Sequence, residues 1–184
     1  MPATATVETP TSPDLKATYA MAEAHFGHVP NLVKVLGTNP TMCKSITAFF
    51  AQALAEGRVT WAFKELVILK TLRVIGAYYS YGAHERLAIE LGNSPDKVGD
   101  IANSLWRTSP HFNAAERSVF EMIEQIGEDA NDVGDAIWGP LKEHWDNGQL
   151  LELASVITTF VMIGRLGDTL GVSEPQLFTK PFRA

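Results

Sequence analysis

The segment Trp61 to Gly92, WAFKELVILKTLRVIGAYYSYGAHERLAIELG, constrains this chain more than any other. Its first half places Leu66, Val67, Ile68, Leu69, Leu72, Val74 and Ile75 around almost the whole circumference of a helix rather than along one stripe. A helix apolar on nearly every side has to be central, ringed by others. Into it the sequence sets Glu65, and after a break at Gly76 a second helix carries His84 among tyrosines. If these two ionisable residues meet, they meet across that hairpin.

The rest of the chain repeats the helical signal. Ser12-Pro13 reads as an N-cap and first helical residue, followed by Leu15, Tyr19, Ala22 and Phe26 at helical spacing until Gly27. Val29 to Leu36 is a short segment, and Asn39-Pro40 opens a helix ending at Gly57 with Met42, Ile46, Phe49, Phe50 and Leu54 on its apolar side. Thr60 caps the central helix, Ser94-Pro95 starts a small one, and Ser104 to Phe112 reads as a connector and candidate seam. Asn113 caps a further helix, one beginning at Asp132 meets Gly139-Pro140, and a long one spans about Gly148 to Leu170. No segment offers sustained period-two alternation, so the chain is expected to be all-α, a bundle built from helical hairpins. An internal echo, Glu65-Leu66-Val67 leading to Ile75-Gly76 and Glu152-Leu153-Ala154 leading to Ile163-Gly164, is what an internal duplication would leave.

Composition narrows the function classes. The chain has 184 residues, 46% of them hydrophobic, and a formal net charge of −6, values suited to one globular domain from residue 14 to 184 behind a flexible Thr/Pro-rich tail over 1–13. Without a basic cluster it is not expected to bind nucleic acid or an anionic membrane. Leu150 to Leu170 is the nearest thing to a membrane span, but Glu152, Arg165 and Asp168 interrupt it and it reads as a core helix. The N-terminus lacks the basic start and apolar stretch of a secretory signal, which makes the cytoplasm the default address. Cys43 is the only cysteine, so no disulfide or two-cysteine redox cycle forms within one chain.

Chemistry concentrates in the opening segment. A carboxylate at Glu65 is desolvated unless a donor or cation compensates, and the sequence leaves two readings open: pairing with Lys64, Lys70 or Arg73, or service in a site. Histidine is the side chain whose ordinary pKa suits proton transfer near neutrality, although a lone helical histidine is often structural. Ala77, Ser80, Tyr81 and His84 fall on one helical stripe. Ala77 and Ser80 lie in the first turn, where backbone N–H groups favour an anionic ligand. His25 and His28 sit three apart, but no carboxylate or cysteine pattern completes a metal site, so no metal is expected. His111 and His144 read as surface residues.

The pattern GHVPNLVKVLGTNP, then KELVILKTLRVIGAYYSYGAH, then HERLAIELGNSPDKV resembles the carboxymuconolactone decarboxylase and AhpD-like alkylhydroperoxidase superfamily. The ending LASVITTFVMIGRLGDTLGV is similar to that family's last helix. The peroxidase branch is marked by a glutamate, a cysteine twelve positions on, a second three beyond that and a histidine four further. Counting from Glu65 gives Ala77, Ser80 and His84: the acid and the histidine are kept and both cysteines are replaced. The resemblance therefore implies that thiol peroxidase chemistry at this site is lost, since neither alanine nor serine can cycle through a disulfide. It implies instead cofactor-free acid–base chemistry of the decarboxylase branch on a small carboxylate, lactone or aromatic-derived compound. On that model His84 and Glu65 are catalytic, with Ser80, Tyr81, Ala77, Arg73 and Arg165 binding an anionic substrate. The alternatives are a non-catalytic scaffold or ligand-binding protein of the same fold and a residual alkylhydroperoxidase. The family tendency to assemble implies a homo-oligomer, a trimer or hexamer.

Overall fold

Helix formation here is set by caps that occupy the backbone N–H groups left over at each start. Ser12, Asn39, Thr60 and Ser94 each accept a hydrogen bond from the amide three residues on, opening α1 (Pro13–Phe26), α3 (Pro40–Leu54), α4 (Trp61–Ile75) and α6 (Pro95–Ala102). Reciprocal capping boxes, Asn113 with Glu116 and Asp146 with Gln149, open α7 (Ala114–Asp129) and α9 (Asn147–Thr169). The remaining helices are α2 (Asn31–Leu36), α5 (Tyr78–Glu90) and α8 (Asp135–His144), which tolerates Pro140 within it. The computed structural model describes residues 5–172, and among them the fold is all-α, with a single 3₁₀ turn at Ala130–Asp132 and no strand. Residues 1–4 and 173–184, the start of the expected tail and the end of the expected domain, lie outside the described residues.

The expected central helix is central. Every residue of α4 from Lys64 to Leu72 is buried, and α5, α6, α7 and α9 all pack on it. Gly76, at φ 71°, ends α4 in the left-handed conformation that glycine adopts without strain, turning the chain back so that α5 lies against α4. The main core gathers α4, α7, α9 and the connector, while a second cluster joins α1, α2 and α3 to Ile163 of α9. By length and composition α9 alone among the described helices resembles a membrane span, but half of that window is buried inside the fold, against α4 among others.

Several local expectations need correcting. Helix α3 stops at Leu54 rather than Gly57, and its true inward side is Cys43, Thr47 and Leu54; Met42 and Phe49 are half-exposed. The connector is no seam, because Trp106 and Phe112 are buried in the main core. The last helix runs through Gly164 to Thr169, close to the expected span, and Gly164 serves as a point of close approach to Ala77. The described part of the N-terminal segment is tied down: Val7 donates its amide to Lys34 O at 3.0 Å and accepts the Tyr19 hydroxyl at 2.6 Å.

Candidate functional site

Glu65 lies at the second turn of α4 with no solvent exposure, and its carboxylate is held from two sides. One turn earlier, the Trp61 indole N–H donates to Oε1 at 2.9 Å; across the hairpin, His84 Nδ1 lies 2.6 Å from Oε2. A carboxylate can only accept in these contacts, so Nδ1 carries the proton and Nε2 is the ring nitrogen left for other work. The edge-on ring of Phe160 from α9, 4.8 Å away between centroids, fixes the imidazole plane. The three side chains form a chain of positioned groups in which Trp61 aims Glu65 and Glu65 aims His84.

The reading in which Glu65 pairs with a nearby cation is set aside by what those cations do. Lys64 reaches Glu152 and two carbonyls of the α3 end, Lys70 pairs with Glu124, and Arg73 donates to Ala102 O at 3.1 Å.

His84 forms part of the wall of a cavity of about 360 Å³ between the two core clusters. Helix α5 contributes Ser80, Ala83, His84, Arg86, Leu87 and Glu90; α1 contributes His25 and Phe26; His28 follows it, and Pro30, Leu32, Phe50, Leu54, Trp61 and Ile163 complete the wall. Arg86 and Glu90 are largely exposed and pair with each other at 3.4 Å. The His25 ring stacks on Trp61, with centroids 5.9 Å apart and planes 21° apart, while Phe26 meets it edge-on at 4.7 Å. Burial pushes the His25 pKa down, which favours its neutral form.

The structure thus pairs Glu65 with His84, sets Ser80 with His84 in the cavity wall, and leaves the other expected binding residues elsewhere. Ala77 is buried against α9 behind the turn, and Tyr81 is buried outside the cavity wall, its hydroxyl pKa pushed up by desolvation. Arg73 is engaged at α6, and Arg165 lies exposed on α9; neither lines the cavity. Sequence reasoning missed Trp61, Phe160, His25 and His28. Trp61 stood one turn before Glu65 and could have been weighed as its donor, whereas His25 and His28 reach the site only through the packing of α1. Cys43 is fully buried, donating to Val33 O at 3.5 Å, with its pKa raised by desolvation. Among the described residues no three or more His, Cys, Asp or Glu side chains converge as a metal set.

The sequence model of the carboxymuconolactone decarboxylase family matches residues 40–125, which contain both Glu65 and His84. Over that stretch, a little under half of the chain, it is similar to the carboxymuconolactone decarboxylase family. The matched stretch also holds Ala77 and Ser80, and its single cysteine is Cys43. No curated protein matches it. Among solved structures, a peroxidase-related protein from Silicibacter sp. TM1040 superposes with a TM-score of 0.80 at 16% identity, covering 96% of this chain and 93% of that one. An alkylhydroperoxidase AhpD core protein from Ralstonia eutropha JMP134 gives 0.79 at 16% identity, with 97% of each chain covered. The debrominase Bmp8, solved with 2,3,4-tribromopyrrole, gives 0.78 at 19% identity, with 96% of this chain and 94% of that one covered. At such identities the likeness establishes the shared fold.

Proposed function

We propose that this protein is a cofactor-free enzyme that transfers a proton to or from a carbon of a small aromatic-derived, lactone or carboxylate compound, with His84 as the proton carrier. The observation that carries this reading is the 2.6 Å contact between His84 Nδ1 and a fully buried Glu65, at the wall of a cavity large enough for a small ring compound. Glu65 holds the tautomer in which Nε2 is basic and stabilises the imidazolium once Nε2 has taken a proton. In a decarboxylation, the C–C bond to the carboxylate breaks, its electron pair stays on the substrate carbon, and His84 delivers the proton that quenches it. In an isomerisation, the neutral ring removes a proton from one carbon and returns it to another.

The mostly apolar wall favours an aromatic-derived substrate within that class, and it offers a single arginine, Arg86, already paired with Glu90. The debrominase neighbour, solved with a brominated pyrrole, lends this choice the support of a small planar ligand in a shared fold. Its reaction is not carried over, because positions 77 and 80 hold no thiol and the one cysteine is buried in another helix. A purely scaffolding role is disfavoured by His84, held by Glu65, lining one cavity together with Ser80.

The test is a screen of small aromatic acids and lactones for CO₂ release or ultraviolet absorbance change, followed by variants on any compound turned over. His84→Ala is expected to abolish turnover. Glu65→Gln is expected to lower kcat by about 10²–10⁴-fold, the usual range for positioned acid–base catalysis. Retained activity in a folded His84→Ala protein would sink the proposal.

A further inference from the structure

Two polar atoms of the cavity wall are left open once the Glu65–His84 pair is made. Ser80 is only 7% exposed and His84 9%, and both side chains line the cavity. Among the described residues neither Ser80 Oγ nor His84 Nε2 has a hydrogen-bond partner. Unlike His25 Nε2, which is closed off entirely, each keeps accessible surface, and for side chains buried this deeply that surface is the cavity itself. They stand one turn apart on α5, about 5–6 Å between Cβ atoms, and are not bonded to each other. A group with two oxygens, such as a carboxylate, spans such a gap and meets both atoms at once.

Charge decides the form in which the site accepts that carboxylate. With Nδ1–H directed at Glu65, neutral His84 presents a lone pair at Nε2, which repels an anion. The other cationic groups around the cavity do not relieve this. Arg86 is exposed on α5 and paired with Glu90. On α1, burial favours the neutral form of His25, whose Nε2 is closed off; beyond α1, exposed His28 engages its Nδ1 with Phe26 O at 3.1 Å. From α4 the facing charge is Glu65 itself, and α3, α6 and α9 add no charged side chain to the wall. A second proton on His84 does relieve it, because the imidazolium then lies between the buried Glu65 carboxylate and the substrate's, one at each ring nitrogen.

Resting on the reading above, we propose that Ser80 and His84 together form a carboxylate site, that the substrate class is a planar aromatic monocarboxylate, and that its binding takes up one proton at Nε2. Ser80 Oγ–H and His84 Nε2–H each donate to one carboxylate oxygen, while the ring lies against the flat apolar surface of Trp61 and Phe50. The proton taken up is the one a decarboxylation then uses. As the C–C bond breaks and CO₂ leaves, the electron pair stays on the substrate carbon, and the Nε2 proton quenches it and returns His84 to its neutral form.

The experiment measures benzoate binding by isothermal titration calorimetry in buffers of different ionisation enthalpy, which counts the protons exchanged, with nitrobenzene as the neutral probe of the same shape. At about pH 8 the native protein is expected to take up close to one proton per benzoate bound and none with nitrobenzene. Benzoate affinity should accordingly fall by up to about tenfold per pH unit above neutrality. Ser80→Ala should weaken benzoate by about 10–100-fold, the worth of a hydrogen bond to a charged group, and leave nitrobenzene binding in place. Ser80→Thr, which keeps the hydroxyl, should retain most of the native ratio of benzoate to nitrobenzene affinity. His84→Gln, which keeps a donor but takes up no proton, should remove both the uptake and the pH dependence. No proton uptake in the native protein, uptake that persists in His84→Gln, an unchanged affinity ratio in Ser80→Ala, or no binding of benzoate would each overturn the proposal. Failure of the catalytic reading shows differently, as unaltered turnover in His84→Ala with proton-coupled benzoate binding intact in the native protein.

Discussion

Trp61 shows what a single hydrogen bond can be asked to do. Glu65 has no access to water, and among the described residues its two oxygens are met by one indole N–H and one imidazole N–H. Removing the indole donor leaves half of a buried carboxylate uncompensated, a loss of about 1–3 kcal/mol for a neutral donor. It also frees the carboxylate to swing, and with it the His84 ring it aims. Trp61→Phe is therefore expected to lower the urea midpoint and to reduce kcat more than it raises KM, because the substrate's own wall changes little while the base loses its aim. Stability by urea unfolding and a kcat against KM comparison check the two parts separately. A variant with lowered stability but unchanged kcat would show that His84 is aimed by Phe160 alone.

Among the elements, α9 and the turn between α4 and α5 set where His84 sits. A methyl group added at Gly164 would come within 2.9 Å of Ala77 Cβ, which is fixed to the first residue before α5, and within 2.7 Å of the more mobile end of Ile75. Overpacking of this kind costs about 1–3 kcal/mol, against a gain of at most about 1 kcal/mol from replacing a helical glycine by alanine. Gly164→Ala should thus be destabilised by roughly 1 kcal/mol. Gly99→Ala, in α6 with nothing within 4 Å of the new methyl, should gain up to about 1 kcal/mol. Denaturant midpoints for the two variants give opposite signs if close approach, rather than glycine flexibility, is the reason for Gly164. This also explains what the sequence could and could not tell. The caps, the buried α4 and the Glu65–His84 pair were readable because each depends on spacing within a helix or across one short turn. The Ile-Gly echo did not distinguish Gly164 from Gly76 by role, because a close approach within a helix and a helix end both use glycine. Met42 and Phe49 looked inward because α3 is apolar on two sides, and which side faces the core depends on where α1 and α9 lie. His25 joined the site for the same reason: the cavity arises where separate helices meet, and no local pattern records that meeting.

At the scale of the molecule, the cavity lies between two packed clusters, so whatever ties them together also holds its shape. Lys64 is one such tie. Its ammonium is buried, donates to Ala53 O at 3.2 Å and Ala55 O at 2.6 Å at the end of α3, and meets Glu152 of α9 at 2.5 Å. Glu152 in turn accepts the Arg58 amide at 2.9 Å, closing the loop between α3 and α4. The pair is asymmetric, since Lys64 has almost no solvent access while the Glu152 side chain is 21% exposed. Losing the carboxylate strands a buried positive charge, at a cost of about 3 kcal/mol. Losing the ammonium leaves a carboxylate that still holds a backbone N–H and some water, at about 1–2 kcal/mol. Glu152→Gln should therefore destabilise the protein more than Lys64→Met, even though the glutamine keeps an acceptor for Arg58. Guanidinium midpoints rank the two variants, and equal or reversed losses would mean that the two carbonyls alone satisfy Lys64. Because α3 lends Phe50 and Leu54 to the cavity wall, Glu152→Gln is also expected to weaken binding of a substrate found in the screen although Glu152 does not line the cavity. Lys64→Met, which keeps apolar bulk between α3 and α4, should weaken it less.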